Sequence, residues 1–229
     1  MKIWITSDVH LSHKTPELNA RFFKFLDNLP ELDGLYLIGD IFEYWVGADI
    51  KDPIAERLAE YTQKLSQRFP VYFMPGNHDF LLEPSYAKNT GMTYLPDHTI
   101  VSLPQKLLLL HGDSLCLEDK LYQKYRKFVR QPWVEGFFLG LPRFIRLKIA
   151  NYLRHKSNQY APTADISIET TLLENLAQEH QVQHIIHGHI HNPQAITHAN
   201  VQYWTLGEWT PHEGWFIEVT DTEVQLQRY

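Results

Sequence analysis

The chain has 229 residues with a formal net charge of −6, and 44% of its residues are hydrophobic and 21% charged. This composition is typical of a globular protein and excludes disordered, collagen-like and coiled-coil chains. The length predicts one domain with an elaboration, covering residues 1–229. A single cysteine, Cys116, excludes an internal disulfide, and the N-terminus has no signal-peptide pattern, so we expect a cytoplasmic location. No apolar run has the length of a membrane span.

Short apolar runs alternate with helical patterns in the first third of the chain. The pattern predicts strands at 3–6, 35–38 and 71–74 and helices at 17–29 and 54–69. This is the order of a parallel βαβαβ unit whose sheet is buried on both faces. Further strands are predicted at 99–103, 107–110, 183–186, 201–206, 215–219 and 223–227, and a helix at 166–180. The whole order predicts an α/β fold in which two mixed β-sheets pack as a sandwich flanked by helices.

Positive charge is concentrated in one segment. From Lys120 to Lys156 there are ten Lys and Arg residues and one acidic residue, Glu135, so this stretch carries +9 and the rest of the chain −15. Pro142 is well placed to begin a helix there. One face of that helix is apolar and the opposite face is basic, with Leu141, Ile145, Ile149, Tyr152 and Leu153 on the first and Arg143 and Arg154 on the second. We predict that residues 118–157 form a basic, apolar helical insertion, which we call the cap.

Polar residues recur directly after five of the predicted strands. The five sets are Asp8 with His10, Gly39-Asp40, Gly76 to Asp79, His111 to Asp113, and His187 to His191. Because ligand sites form at the carboxyl ends of strands in open α/β sheets, we expect these sets to converge. Asp, His and Asn side chains without thiolates favour Mn²⁺, Fe²⁺, Mg²⁺ or Zn²⁺, and Asp40 is the natural carboxylate to bridge two ions. Taken singly, His187 could be a core histidine and Asn77 a turn residue.

The motifs D-x-H, G-D, G-N-H-D, H-G-D and G-H-x-H, in this order over residues 1–210, resemble those of the calcineurin-like metallophosphoesterases. The resemblance implies two divalent ions that activate water for in-line attack on phosphorus. It also implies the ligands: Asp8, His10, Asp40 and His191 for the first ion, and Asp40, Asn77, His111 and His189 for the second. His78 would be catalytic beside the bridging Asp40, contacting the phosphate and protonating the leaving group.

The stretches LYLIGDIFEYWVGAD, GNHDFLL, HGDSLCLEDKLYQKYRKFVRQPW and HQVQHIIHGHIHNP resemble the UDP-2,3-diacylglucosamine hydrolase family. That resemblance implies hydrolysis of UDP-2,3-diacylglucosamine to UMP and 2,3-diacylglucosamine 1-phosphate in lipid A biosynthesis, with Mn²⁺ as the metal. The implied substrate contacts are Asn77, His78, Asp119, Tyr122, Ser157 and His189. Three positions depart from that family, because His78, Ala161 and Ala164 stand where its members typically have Arg, Asn and Lys. These three positions are the ones at which the substrate specificity could differ from that of the family.

The cap suits a lipid substrate, since an apolar and cationic insertion can line an acyl-chain groove and lie on an anionic membrane. We therefore expect a peripheral protein on the cytoplasmic face of the bacterial inner membrane. The alternative is that the apolar face of the cap packs on the core while its charges are solvated.

Three other functions are compatible with parts of the sequence. A metallophosphoesterase for another nucleotide diphosphate or phosphodiester would have no use for an apolar cap. A nucleic-acid-binding protein or nuclease is suggested by the basic segment, but the aromatic residues of that segment belong to its apolar face and the chain is acidic overall, so no nucleic acid is expected. A catalytically inactive metal-binding scaffold is disfavoured because no ligand position is substituted. No obligate protein partner is inferred.

Overall fold

The structure is a computed structural model that describes residues 1–159 and 170–229, with side chains described for all of these except residues 154–159 and 170. The strands in this part of the chain are β1 Lys2–Thr6, β2 Gly34–Ile38, β3 Val71–Met74, β4 Met92–Tyr94, β5 Thr99–Ser102, β6 Lys106–Leu109, β7 His184–His187, β8 Gln194–His198, β9 Val201–Thr205, β10 Trp215–Thr220 and β11 Val224–Arg228. The helices are α1 Pro16–Asp27, α2 Pro53–Leu65, α3 Pro84–Asn89, α4 Lys120–Val129, α5 Pro132–Leu139, α6 Arg143–Gln159 and α7 Thr170–His180.

The strands form two mixed sheets. The first has the order β11-β10-β1-β2-β3-β4, with β1 to β4 parallel and β10 and β11 added antiparallel. The second has the order β5-β6-β7-β9-β8, with β6, β7 and β9 parallel and antiparallel strands at both edges. The parallel strands of each sheet end on the same edge, which sets where the polar sets meet.

Alternation along the strands separates three apolar layers. In β2, Leu35 and Leu37 pack with helices α1 and α2, while Tyr36 and Ile38 pack between the two sheets. Helix α1 covers its side of the first sheet with buried residues at helical spacing: Leu18, Phe22, Phe25 and Leu26. Helix α7 covers the outer face of the second sheet. The predicted sandwich flanked by helices is confirmed.

The predicted elements differ from the observed ones mainly at ends and edges. Helix α1 ends at Asp27 and α2 at Leu65, two and four residues earlier than predicted, while Leu29 and Phe69 are core residues of the loops after these helices. Strands β4 and β8 and helix α3 are absent from the prediction. β4 has three residues and β8 is an exposed edge strand, so neither has the long buried apolar run that identifies a strand in the sequence.

The segment predicted as the cap contains helices α4, α5 and α6. Pro142 directly precedes α6, as the sequence indicates. The basic residues are not all solvated, because Arg146 is 2% exposed and donates to the Val46 carbonyl and to Asp49. Arg143 is exposed and also contacts Asp49. Arg154, Ser157, Ala161 and Ala164 lie outside the side chains that the structure describes.

Candidate metal centre

The five polar sets converge where the parallel strands of both sheets end. Three groups of side chains have ligand atoms within 4.8 Å of one another: Asp8 with His10 and His191, His10 with Asp40 and His78, and Asp40 with His111 and His189. Asp40 and His10 each belong to two groups, so the three form one continuous cluster. Six of the seven residues predicted as ligands are therefore brought together, and the seventh, Asn77, contacts the cluster through His111.

Asp8 organises one end of the cluster. Its carboxylate accepts the main-chain N–H of His189 at 3.1 Å and contacts His191 Nε2 at 3.2 Å. Burial alone would raise the pKa of Asp8, but the hydrogen bond with His191 and the nearby His111 lower it below its usual range. Glu208 lies 3.5 Å from the other ring nitrogen of His191. A carboxylate at this position orients the imidazole ring, and the sequence did not indicate this contact of Glu208.

Asp40 and His111 organise the other end. His111 Nδ1 donates to the Ile38 carbonyl at 3.1 Å, which leaves Nε2 3.0 Å from Asn77 Oδ1 and 3.3 Å from Asp40 Oδ2. Burial alone would lower the pKa of His111, but the Asp40 carboxylate outweighs it and raises the pKa well above the usual range. A positive charge is therefore favoured where His111 Nε2, Asn77 Oδ1 and Asp40 Oδ2 meet. A metal ion that binds there would displace the proton from the histidine.

His10 gives an independent indication that the cluster suits a cation. The residue is buried, and neither ring nitrogen has a hydrogen-bond partner in the described part of the chain. A carboxylate oxygen, Glu43 Oε2, is 3.8 Å from Nδ1. Buried polar atoms without partners are rare in proteins and indicate an unmet contact. Carboxylate oxygens and imidazole nitrogens without thiolates are the donor set that divalent ions such as Mn²⁺ or Zn²⁺ accept, so the residues present fit the metals.

The backbone is strained at the site. Five of the seven predicted ligand residues have φ between 53° and 66°, in the left-handed region that residues other than glycine rarely adopt: Asp8, His10, Asp40, His189 and His191. Each such residue costs about 1–2 kcal/mol relative to ordinary backbone. Such strain clusters at functional sites, where it fixes the directions of side chains.

Two glycines are required by close approach to the carboxylates. A Cβ on Gly76 would collide with the Asp40 carboxylate, and a Cβ on Gly188 would collide with Asp8 and Ser7. In both cases the backbone of a loop after one strand packs directly on a predicted ligand side chain in the loop after another strand. Only glycine permits so close an approach.

Asp79 positions Asp40 and was not assigned a role from the sequence. Its buried carboxylate accepts the main-chain N–H groups of Gly76 and Ile41 at 2.7 and 2.8 Å, and those of Asp40 and Phe42 at 3.3 Å. Burial and the neighbouring Asp40 raise the pKa of Asp79 to about 6. Asp79 therefore joins the loop after β2 to the loop after β3, and the only sequence signal for it was its place in G-N-H-D.

His78 lies at the edge of the cluster. Its main-chain N–H donates to Asp40 Oδ1 at 2.8 Å, and its ring Nδ1 donates to the Glu43 carbonyl at 2.7 Å. The ring is 4.8 Å from the ring of His10. Nε2 is therefore the ring nitrogen available to a substrate or an ion. The role of His78 as a phosphate contact rather than a ligand stays a prediction.

Of the residues predicted to contact substrate, Tyr122 lies next to the cluster and Asp119 lies on the surface. The Tyr122 hydroxyl donates to Asp113 at 3.1 Å, and its ring lies 6.4 Å from that of His189, next to the cluster. Asp119 is exposed and caps helix α4 by accepting the N–H of Tyr122. Its predicted substrate contact stays a prediction. The side chain of Ser157 lies outside the described residues.

A cavity of about 440 Å³ lies between the cluster of candidate metal ligands, which we call the metal cluster, and the cap. Asn77, His78 and Tyr122 line the end next to the cluster, and apolar residues from both sides line most of the remainder: Trp45, Phe80, Leu81, Val129, Phe138 and Ile149. The volume and the mostly apolar lining of this cavity are typical of a small-molecule binding site.

Asp113 anchors the cap over the cluster. Its fully buried carboxylate accepts from Arg126 at 2.7 Å and Arg130 at 3.1 Å, besides Tyr122. Burial alone would raise the pKa of Asp113, but His111 and the two guanidinium groups lower it to about 2. Arg126 also pairs with Asp97 at 2.8 Å. Charged residues of the cap are thus bonded to acids that lie outside it.

The comparisons with known proteins agree with this geometry. The model of the calcineurin-like phosphoesterase family matches residues 1–193, which defines the class as metallophosphoesterase. A UDP-2,3-diacylglucosamine hydrolase from Shewanella loihica is 40% identical over 226 residues, covering 96% of this chain and 93% of that protein. The protein of the same name from Escherichia coli is 36% identical over 230 residues, covering 96% and 95%. The chain therefore belongs to the UDP-2,3-diacylglucosamine hydrolase family within the calcineurin-like phosphoesterases.

Solved structures are similar in fold at low sequence identity. A novel archaeal phosphodiesterase aligns with a TM-score of 0.53 at 14% identity, over 100% of both chains. Vps29 from Chaetomium thermophilum aligns with a TM-score of 0.52 at 11% identity, over 100% of this chain and 97% of that one. These likenesses support the fold alone.

Proposed function

We propose that the protein hydrolyses the diphosphate bond of UDP-2,3-diacylglucosamine, giving UMP and 2,3-diacylglucosamine 1-phosphate in lipid A biosynthesis. The observation that carries the proposal is the largely apolar cavity between cap and metal cluster, which gives an acyl chain a place beside the reacting phosphate. The names of the relatives point to the same substrate. A metallophosphoesterase for a fully polar nucleotide would have no need of this cavity.

The residues of the cluster and those beside it have different roles in the proposed hydrolysis. Asp8, His10, Asp40 and His191 would hold one divalent ion and Asp40, Asn77, His111 and His189 the other. The two ions would supply water activation and would neutralise negative charge on the phosphoryl oxygens. His78, held by the Glu43 carbonyl, would offer Nε2 to the phosphate or the leaving oxygen. The Tyr122 hydroxyl donates to Asp113, and burial with that carboxylate raises its pKa, so it serves as a neutral contact and not as a base.

We propose Mn²⁺ as the metal, because the donor set of His, Asp and Asn suits it and contains no thiolate. Chelated protein is reloaded with Mn²⁺, Mg²⁺, Fe²⁺ or Zn²⁺, and UMP release is measured. Greater activity with another ion would contradict this choice.

Removal of the acyl chains should reduce turnover strongly. We expect kcat/KM for the diacylated UDP-sugar to exceed that for its deacylated counterpart by about 10²-fold or more, because each buried methylene contributes about 0.8 kcal/mol. UMP release by the Mn²⁺-loaded protein measures both. Equal efficiency would contradict the lipid substrate and favour another nucleotide diphosphate.

We further propose that the outer surface of the cap binds the anionic cytoplasmic face of the inner membrane. Large apolar side chains are exposed there, including Leu121, Phe128, Trp133, Phe137 and Phe144. Among them lie Lys120, Lys124, Lys127 and Lys148, which are exposed and form no ion pair within the described residues. Apolar area combined with basic charge is the signature of interfacial binding. No helix among the described residues is long and apolar enough to cross a membrane.

Vesicle sedimentation tests this surface. The protein should bind phosphatidylethanolamine vesicles that contain phosphatidylglycerol, and salt should weaken the binding. Trp133→Ser combined with Phe137→Ser should reduce the binding at least about tenfold through lost apolar burial. Ile196→Ser, on the exposed edge strand β8, is the matched control. Equal binding to vesicles without phosphatidylglycerol, or unchanged binding by the double variant, would contradict the proposal.

A further inference from the structure

A diphosphate diester brings two negative charges into the cavity, one on each phosphate. The metal cluster accounts for the phosphate that is attacked. The other phosphate would be enclosed by the cap, and burying an unpaired charge in a largely apolar cavity is costly. A donor of positive charge is therefore required in the cavity wall, away from the cluster.

Among the described residues that line the cavity, Arg126 and Arg130 are the only lysine or arginine side chains. Arg126 uses Nε and Nη2 on Asp113 and Asp97. Arg130 uses only Nη2, which donates to the Gly76 carbonyl at 2.9 Å and to Asp113 at 3.1 Å. Its Nε and Nη1 have no hydrogen-bond partner within the described residues, so Arg130 has donors to spare.

Arg130 is also held in place before any ligand binds. Its contact with Gly76 attaches the guanidinium to the loop that carries Asn77 and His78, and its Cζ lies 5.6 Å from the centre of the Phe80 ring. A fixed guanidinium loses little side-chain entropy on binding a phosphate and can donate two hydrogen bonds to it.

We infer that Arg130 binds the non-reacting phosphate of the diphosphate, as a specificity-determining residue distinct from the metal ligands and from His78. This inference rests on the proposed function in so far as the substrate is a diphosphate. It assigns to the cap a polar role beside its apolar one, since Arg130, the residue that directly follows α4, supplies the charge that distinguishes a diphosphate from a single phosphate.

Binding of UDP and UMP to the Mn²⁺-loaded protein, measured by isothermal titration calorimetry, tests the inference without turnover. Arg130→Met should weaken UDP binding by about 10–100-fold, the effect of losing a charge-assisted hydrogen bond, and should weaken UMP binding much less. Arg130→Lys should fall between the two, because it keeps the charge without the planar fork. Arg68→Met removes an exposed guanidinium paired with Glu31, ahead of β3, and should change neither affinity.

Arg126→Met separates the subsite from simple anchoring of the cap. It removes the contacts with Asp97 and Asp113, so we expect a lower melting temperature and a parallel loss of UDP and UMP binding. The same parallel loss in Arg130→Met would overturn the inference, as would a wild-type protein that does not prefer UDP to UMP. If UDP-2,3-diacylglucosamine is not hydrolysed but Arg130→Met still loses the preference for UDP, the substrate proposal fails while the subsite stands.

Discussion

Asp40→Ala should abolish hydrolysis and reduce metal content together. Asp40 belongs to two of the three groups of ligand atoms and is the carboxylate predicted to serve both ions. Its removal would leave two cations repelling each other without shared negative charge between them. We expect kcat/KM to fall by at least about 10³-fold, more than is typical for one transition-state hydrogen-bond donor. UMP release and metal content by mass spectrometry measure the two effects.

Two further variants make this result interpretable. Asp40→Asn keeps the side-chain shape and the acceptor for the His78 main-chain N–H but lacks the negative charge, so it should also lose metal. Asp27→Ala removes a surface carboxylate that accepts from Tyr61 and should leave both measurements unchanged. An Asp40→Ala protein that is active with two ions bound would refute the assignment of Asp40 as the bridge.

His78→Ala should separate catalysis from metal binding. The alanine keeps the main-chain N–H that donates to Asp40 Oδ1, so the ligand loop retains that contact. The imidazole held by the Glu43 carbonyl is lost. We expect kcat/KM to fall by roughly 10²–10⁴-fold, the contribution of a positioned acid or transition-state donor. Both ions should remain bound.

His13→Ala is the matched control, because His13 is exposed and contacts Asp52 outside the cluster. Its kinetics and metal content should equal those of the unaltered protein. The grouping of His78 with His10 and Asp40 makes the metal measurement decisive. If His78→Ala loses an ion, His78 is a ligand and its assigned role as a phosphate contact is wrong.

The convergence of the cluster could be predicted from the sequence because its cause is local. Each polar set comes directly after an apolar strand, and the loops that leave the carboxyl ends of parallel strands meet at one edge of a sheet. Asp8, Asp40 and His111 are therefore recognisable without the structure. The residues that support them are harder to recognise. Asp79 lies in the G-N-H-D motif, but the motif does not show that its carboxylate accepts main-chain N–H groups of the loop after β2. Glu208 is a lone carboxylate in a loop, and no sequence pattern distinguishes its contact with His191.

The residue pattern was sufficient to predict that the segment at 118–157 is helical, apolar and rich in positive charge. The contacts that these charges make depend on the tertiary structure. Arg126, Arg130 and Arg146 are bonded to Asp97, Asp113 and Asp49, which lie outside the segment, while four lysines among the described side chains are exposed. The number of charges in the sequence does not show which basic residues are paired and which are solvated. A paired arginine and a solvated one are the same residue type, and they differ only in the acidic side chains that the fold places beside them.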